Sequence, residues 1–263
     1  VRNLGYRLGE DADVITQAEL KSILKTRWIG NRLEYFDETD STNTRARKLA
    51  EEGAPHGTLV IADSQSSGKG RRGRLWTSPR GVGIWMSMLL RPDIAPVHAS
   101  MLTLIAGMAV VRGVKESTGL DAMIKWPNDA VLAGRKICGI LTEMSTEDET
   151  IRYVITGIGI NVNIDEFPEE IRDTATSLKL ELGKSIKRSP VIRAVAEAFE
   201  TYYDIFLETC DMSRLKEDYN RELANTGREV LVLDPRGQYE GTALGIDDEG
   251  SLLVRKRDGT VAP

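Results

Sequence analysis

Apolar positions along the chain fall into two rhythms. Short, nearly unbroken apolar runs bounded by turn residues occur at 33–36 (LEYF), 58–62 (TLVIA) and 83–90 (GIWMSMLL), and they predict buried strands. Residues 122–125 read as a further short strand. Turn signals at Pro127-Asn128-Asp129 and Gly134-Arg135 predict a hairpin of 130–132 with 136–144. Residues 151–163 (IRYVITGIGINVN) predict a long strand carrying Gly157 and Gly159. Helical spacing appears at 16–26, where Thr16 is placed to cap, Glu19 holds the capping-box position, and Leu20, Ile23 and Leu24 share a face. The polar cluster at 40–43 followed by Ala46, Leu49 and Ala50 predicts a helix that stops at Gly53. Residues 97–115, behind Pro96, are apolar nearly all round and predict a buried helix. Residues 190–208 predict an amphipathic helix and 212–223 a shorter one. Beyond Gly227 the rhythm changes to short strands spaced by turns, the pattern of a small β-barrel or sandwich and hence of a second domain. No repeat of 20–50 residues is visible.

Composition narrows the class. The 263 residues are 41% hydrophobic and 29% charged, as in an ordinary soluble globular chain long enough for one large domain and a small one. The net charge of −5 argues against broad coating of nucleic acid. Cys138 and Cys210 imply no disulfide framework, and with His56 and His98 as the only histidines no Cys/His zinc cluster is expected. No uninterrupted apolar run approaches the roughly 20 residues of a membrane helix and no signal peptide is visible, so the expected setting is cytoplasmic. The chain starts at Val1 rather than Met and stops at Pro263 just after a turn, so both ends read as cut. Residues 1–14 read as the tail of an earlier module plus a linker.

Against this acidic background one stretch is strongly basic. Residues 63–81 (DSQSSGKGRRGRLWTSPRG) carry four glycines, with Lys69, Arg71, Arg72, Arg74 and Arg80 among them and Trp76 close behind. No hydrophobic period runs through it, and no Walker motif is present. Strung between two buried strands, it reads either as a solvated surface loop or as a mobile lid whose backbone N–H groups and guanidinium forks grip an anion. The helix start at 40–43 offers unpaired N–H groups to a polar ligand, although a plain cap at Asp40 or Ser41 explains part of it. Gly157 and Gly159 mark either a bulge or the close approach of a ligand. Lys136 opens an apolar strand and Trp76 could stack on a flat ring, while a snorkelling lysine and a packing tryptophan are the plainer alternatives. Asn128 and Asp129 sit on a turn where they could hold a metal or a polar edge. Lys69, Arg71 and Lys136 together suit a reaction in which a carboxylate attacks the α-phosphate of ATP, with fixed cations and Mg²⁺ stabilising the charge that grows on phosphoryl oxygen.

In sequence the motifs DSTN at 40–43, GKGRRGR at 68–74, KWPND at 125–129, RKICGIL at 135–141 and GIGINVN at 157–163 are similar in order and approximate spacing to those of the biotin protein ligases (biotin–[acetyl-CoA-carboxylase] ligases), a resemblance covering almost the whole chain. It implies an α/β (α+β) fold: a class II synthetase-like catalytic domain of mixed sheet and helices over 15–225, similar to lipoate ligases, and an SH3-like C-terminal barrel over 226–263. It also implies the activity, attachment of biotin through biotinyl-5′-AMP to a lysine of a biotin carboxyl carrier protein. By position, Ser41, Thr42, Asn43 and Gln65 would contact biotin. Lys69, Gly70 and Arg71 would form the loop over the adenylate, and Lys136 would meet the biotin carboxylate or the phosphate. Trp76, Asn128 and Asn161 would take the nucleotide, with Arg71, Lys136 and Asp129 as the catalytic set. Biotin, ATP and Mg²⁺ are the implied small molecules, with no metal ligand assigned. Lys69 departs from the arginine common in the family, keeping the charge without the fork. A homodimer is implied. Residues 3–8 look like the last wing strand of a winged helix-turn-helix, so DNA binding would need the rest of that module. The rival readings are a lipoate or octanoate ligase, a biotin-responsive regulator without ligase activity, and a basic-loop RNA-binding protein.

Overall fold

The apolar runs become one seven-stranded sheet in the computed structural model, which describes residues 13–234 and 237–263. In chain order the first part comprises α1 (Gln17–Ile23), β1 (Leu33–Phe36), α2 (Thr42–Glu51), β2 (Thr58–Ala62), β3 (Gly83–Leu90), α3 (Met101–Thr118), β4 (Met123–Lys125), β5 (Asp129–Leu132), β6 (Arg135–Glu147) and β7 (Thr150–Asn161). There follow α4 (Leu178–Leu182), α5 (Arg188–Thr209) and α6 (Lys216–Arg221), then β8 (Glu229–Asp234), β9 (Gly237–Ile246), β10 (Leu252–Lys256) and β11 (Val261–Ala262). The large sheet runs β1-β2-β3-β7-β6-β5-β4; β1 and β2 are parallel and every other neighbouring pair is antiparallel. The last four strands form a separate antiparallel sheet, so the expected mixed α/β architecture with a second small sheet is what the chain adopts. The proposed wing strand at 3–8 lies outside the described residues.

Side-chain alternation along β7 separates the faces of the sheet. Val154, Ile158 and Ile160 enter the main core, which α3 and α5 close from one side. Tyr153 and Ile155 point the other way and pack with Val60, Leu89, Ala46 and Ala50 under α2. Further along that second face come Gly157 and Gly159, where no side chain projects and where Asn43 of α2 and Trp76 lie directly on the backbone. That glycine ground is the site described below.

Local differences from the expected elements have physical causes. Thr16 caps α1 by accepting from Glu19 N, but Glu19 turns its carboxylate to Ser189 Oγ instead of completing a capping box. The apolar helix begins as a 3₁₀ turn over Pro96–Ser100 and becomes α-helical only at Met101. Pro96–Thr118 is long and apolar enough to cross a membrane by composition, yet it is a core helix, mostly buried against the sheet and α5. The helix expected over 212–223 shrinks to Lys216–Arg221, because Met212 and Asp211 are occupied in a turn that docks against Asp248.

Candidate functional site

The basic stretch folds back on itself between β2 and β3. Gly70 N donates to Arg74 O (2.7 Å) and Trp76 N to Gly68 O (2.9 Å), giving an irregular hairpin with a 3₁₀ turn over Arg71–Gly73 at its tip. The glycine at 68 is required by contact: a Cβ there would stand 2.2 Å from Trp76 O. The tip is solvent-exposed, with Arg71, Arg72, Arg74 and Leu75 outermost. The segment expected to lack regular structure is therefore a folded flap, and Arg71 reaches across to hydrogen-bond Asn128 Oδ1 (2.7 Å).

Beneath the flap, the N-terminus of α2 faces the sheet. Ser41 is the N-cap residue but makes no side-chain cap bond. Asp40 faces backward, accepting from Ser41 N (2.8 Å) and Thr39 Oγ1 (3.0 Å), so it is not the cap either. The first helical N–H, at Thr42, is taken by Gln65 Oε1 (2.8 Å), whose amide nitrogen donates to Ser78 Oγ (2.7 Å). Thr42 Oγ1 and Asn43 Oδ1 both lie against Ser87 Oγ, at 2.7 and 2.6 Å, and Asn43 Nδ2 donates to Glu143 Oε2 (2.8 Å). Ser41, Thr42, Asn43 and Ser87 are almost fully buried. Ser87, Ser78 and Glu143 were not among the residues singled out from sequence. The signal for Ser87 was present, as the lone polar position in the apolar strand GIWMSMLL.

The floor consists of glycine. Gly139 and Gly159 are direct partners across β6 and β7, and Gly157 lies two residues further along. The Trp76 indole lies on this floor: a Cβ at Gly159 would come within 2.6 Å of Trp76 Nε1, and one at Gly139 within 2.8 Å of its ring carbon Cζ3. Trp76 Nε1 is buried and has no hydrogen-bond partner. The indole carries a cation, since Lys136 Nζ stands 5.2 Å from the ring centroid. Lys136 is aimed by a bulge in the β5–β6 register at Ala130/Val131 and by Asp129, whose Oδ1 lies 2.6 Å from its Nζ. Beyond that ion pair the buried Asp129 Oδ1 has no hydrogen-bond partner. Asn128 is fixed by donating to Ile140 O (3.1 Å) while its backbone carbonyl accepts from Ile140 N (2.9 Å).

The structure thus brings Ser41, Thr42, Asn43, Gln65, Lys69, Gly70, Arg71, Trp76, Asn128 and Lys136 to one cleft. Two anticipated residues stand off its wall. Asp129 acts on the cleft through Lys136, and Asn161, at the end of β7, donates its amide to Thr176 O (3.2 Å). With the flap down and Trp76 on the floor the cleft holds only about 60 Å³, but it adjoins a cavity of about 250 Å³ that shares Arg71, Asn128, Ile140 and Leu141 and is closed at the far side by Glu249, Gly250 and Ser251. Cys138, one residue from the floor, is excluded as a nucleophile, because complete burial pushes its thiol well up. Among the described residues no three metal-ligating side chains cluster. The arrangement can bind a flat ring against bare backbone, ligand polar groups at the α2 end, and anionic oxygens between Lys136, Arg71 and Lys69.

Comparison with known proteins follows the same outline. The biotin/lipoate A/B protein ligase family matches residues 35–161 and the biotin protein ligase C-terminal domain family matches 226–263. The chain is 42% identical over 261 residues to the bifunctional ligase/repressor BirA of Bacillus subtilis, covering 98% of this chain and 80% of the relative. It is 32% identical over 222 residues to the biotin–[acetyl-CoA-carboxylase] ligase of Paracoccus denitrificans, covering 82% and 91%. Among solved structures it resembles a biotin protein ligase of Aquifex aeolicus in complex with biotin and ATP, with a TM-score of 0.77, 33% identity, and coverage of 88% of this chain and 94% of that one.

Proposed function

The chain belongs to the biotin protein ligase family, and from that membership we propose that it activates biotin with ATP and passes the biotinyl group to a lysine of a biotin carboxyl carrier protein. The observation that carries the reading is the convergence of Arg71, Lys136 and Trp76 on the glycine floor beside the N-terminus of α2.

In the first step a biotin carboxylate oxygen forms a bond to the α-phosphorus, and the bond from that phosphorus to the β-phosphate bridging oxygen breaks, releasing pyrophosphate. Negative charge accumulates on oxygens that Lys136 and Arg71 are positioned to meet, and preorganised cations stabilise such charge without reorganising. Asp129 holds Lys136 in place. Ser41, Thr42, Asn43 and Gln65 hold the polar end of biotin, while Trp76 and Asn128 take the nucleotide; Lys69 and Gly70 complete the flap. Asn161, behind the floor, completes the nucleotide end. In the second step the lysine amine bonds to the acyl carbon, AMP leaves with the electron pair of the anhydride bond, and the amine proton passes to solvent. A mixed anhydride hydrolyses readily, so a flap that excludes water has a direct use. A Mg²⁺ would be carried mainly by the ATP phosphates, since among the described residues no three metal-ligating side chains cluster and Asp129, the carboxylate next to the cleft, is paired with Lys136. When bound, that ion would neutralise polyphosphate charge. The adjoining cavity gives room for the ligand beyond the narrow cleft.

Residues 15–225 form the catalytic domain and 226–263 a C-terminal domain in this reading. Homodimerisation and a cytoplasmic setting belong to it as well, and DNA binding would depend on an N-terminal helix-turn-helix. The decisive measurement is biotin-dependent exchange of labelled pyrophosphate into ATP, which needs no acceptor. Exchange with biotin and transfer to a biotin-acceptor domain are expected; transfer of lipoate without biotin would overturn the assignment.

A further inference from the structure

Arg188, the first residue of α5, is a buried cation that the reaction outlined above does not use. Its side chain is 1% exposed. Nη1 donates to Asp63 Oδ1 (2.8 Å) and to Gly83 O (3.1 Å), Nε donates to Asp13 Oδ2 (2.6 Å), and Nη2 donates to Asp13 O (3.0 Å). Asp63 is the residue directly after β2 and Gly83 opens β3, so one guanidinium joins the two feet of the flap. The other Asp63 oxygen lies 3.6 Å from Arg80 Nη1, on the descending limb. Asn163 secures the same foot: its N–H donates to Val82 O (2.6 Å) and its side chain pairs with both backbone groups of Ile186. Two residues past Asp63 comes Gln65, which holds the first N–H of α2.

We propose that Arg188 is a positioning residue for the flap, fixing through Asp63 and Gly83 the spacing and angle from which Gln65, Arg71 and Trp76 reach the ligand. Its effect on ligand affinity rests on the ligase reading; its effect on the flap does not. A rigid fork bonded to both feet restricts how the intervening positions 64–82 swing without touching the ligand itself. A plain buried ion network, by contrast, would spread the consequence of losing either carboxylate evenly over the fold.

The test compares Asp63→Asn, Asp13→Asn and Arg188→Lys in the full chain. Asp63→Asn weakens the link to the feet together with the Arg80 contact on the same limb, Asp13→Asn weakens the opposite side of the fork together with the bond from Arg188 N, and Arg188→Lys keeps the charge without the fork. In the absence of ligand, tryptic cleavage after Lys69, Arg71, Arg72 and Arg74 is expected to accelerate about tenfold in Asp63→Asn and Arg188→Lys, the scale of one lost charge-assisted hydrogen bond. Asp13→Asn should stay close to wild type, whatever thermal stability each variant loses. In pyrophosphate exchange the first two should raise KM for biotin by a similar factor with kcat little changed. Equal flap cleavage in Asp63→Asn and Asp13→Asn, or wild-type cleavage in Asp63→Asn, would overturn the proposal. Wild-type protein that shows no exchange would overturn the ligase reading, while the ligand-free cleavage pattern still decides the role of Arg188.

Discussion

Lys136 and Arg71 arrive at the cleft by different routes, and their loss should show in different parameters. Lys136 is aimed from a strand by Asp129 and lies against an indole. Lys136→Ala should therefore slow single-turnover adenylate formation by more than about tenfold with little effect on stability, as expected for one lost electrostatic stabiliser. A wild-type rate in a quenched-flow measurement would make it a structural lysine. Arg71 lies on the exposed flap tip and is tied to the cleft by Asn128. Arg71→Ala should weaken retention of the adenylate, measured as faster release or hydrolysis of the bound intermediate. The floor makes a third case. A methyl at Gly159 would come within 2.6 Å of Trp76 Nε1, and the indole sits on a flap able to give way. Gly159→Ala should leave thermal stability nearly unchanged but raise KM for ATP about tenfold by lifting the stacking ring, which steady-state kinetics would read. At this scale the sequence spoke well about residues that are chemically conspicuous, the cations and Trp76. It was silent on Glu143 and gave Ser87 only as a lone polar position, because a serine in an apolar strand and a glutamate on a long hairpin join the cleft only once β3, β6 and α2 are seen to meet.

Among the elements, α3 packs tightly on α5 at Gly113, where a Cβ would stand 2.7 Å from Val195 N. Alanine gains about 1 kcal/mol of helix propensity over glycine. Overpacking against a backbone atom costs about 1–3 kcal/mol, because the backbone cannot step aside as a side-chain tip can. The steric cost should win, so Gly113→Ala is expected to lower the denaturation midpoint without altering KM, as urea unfolding would show. A second test concerns the turn joining α2 to β2. His56 Nδ1 accepts from Arg91 N (2.9 Å), and burial first, then the Arg91 charge, holds the imidazole below its ordinary value of 6.5. The unfolded chain then binds more protons than the folded one just below that value. The resulting stability is fully present above about pH 6.5 and is lost as the pH falls through the folded-state value. Urea unfolding at several pH values should show this loss. In His56→Asn, which keeps an acceptor for Arg91 N, the slope should flatten. Most strands were legible because buried strands are continuous apolar runs. The flap was not, because its fold depends on Gly68 admitting a carbonyl from eight residues further along rather than on any hydrophobic period.

At the scale of the whole molecule, the small C-terminal sheet is held to the rest by its β9–β10 turn. Trp126, within KWPND, donates Nε1 to Gly250 O (3.0 Å), while Trp126 N donates to Asn225 Oδ1 (2.9 Å). Gly250 packs so tightly that a Cβ would lie 2.6 Å from Leu104 Cδ1. Met212 N donates to Asp248 O (2.7 Å) and Lys216 Nζ pairs with Asp248 at 2.6 Å, so turn 247–251 is gripped from the α5–α6 loop and from α6. The same turn closes the larger cavity, and two residues from Trp126 stands Asn128, the anchor of Arg71. Sequence periodicity announced the second set of short strands at the change of rhythm near Gly227, and they form the small sheet, but it could not announce the docking, which rests on a backbone carbonyl and an indole N–H far apart in the chain. Trp126→Phe keeps most of the apolar contact and deletes one donor, leaving the buried Gly250 O unpaired at a cost of about 1–3 kcal/mol. That penalty falls on the docking contact rather than on the large core, so the catalytic sheet should keep its wild-type circular dichroism. Proteolysis should release a fragment beginning near residue 226 faster than from wild type, and KM for ATP should rise because the cavity wall has loosened. Trp126→Phe with unchanged fragment release and unchanged KM for ATP would mean that the other contacts, Met212 and Lys216 with Asp248, Asn220 with Ile246 and the apolar packing of Ala243 and Ile246, hold the sheet in place.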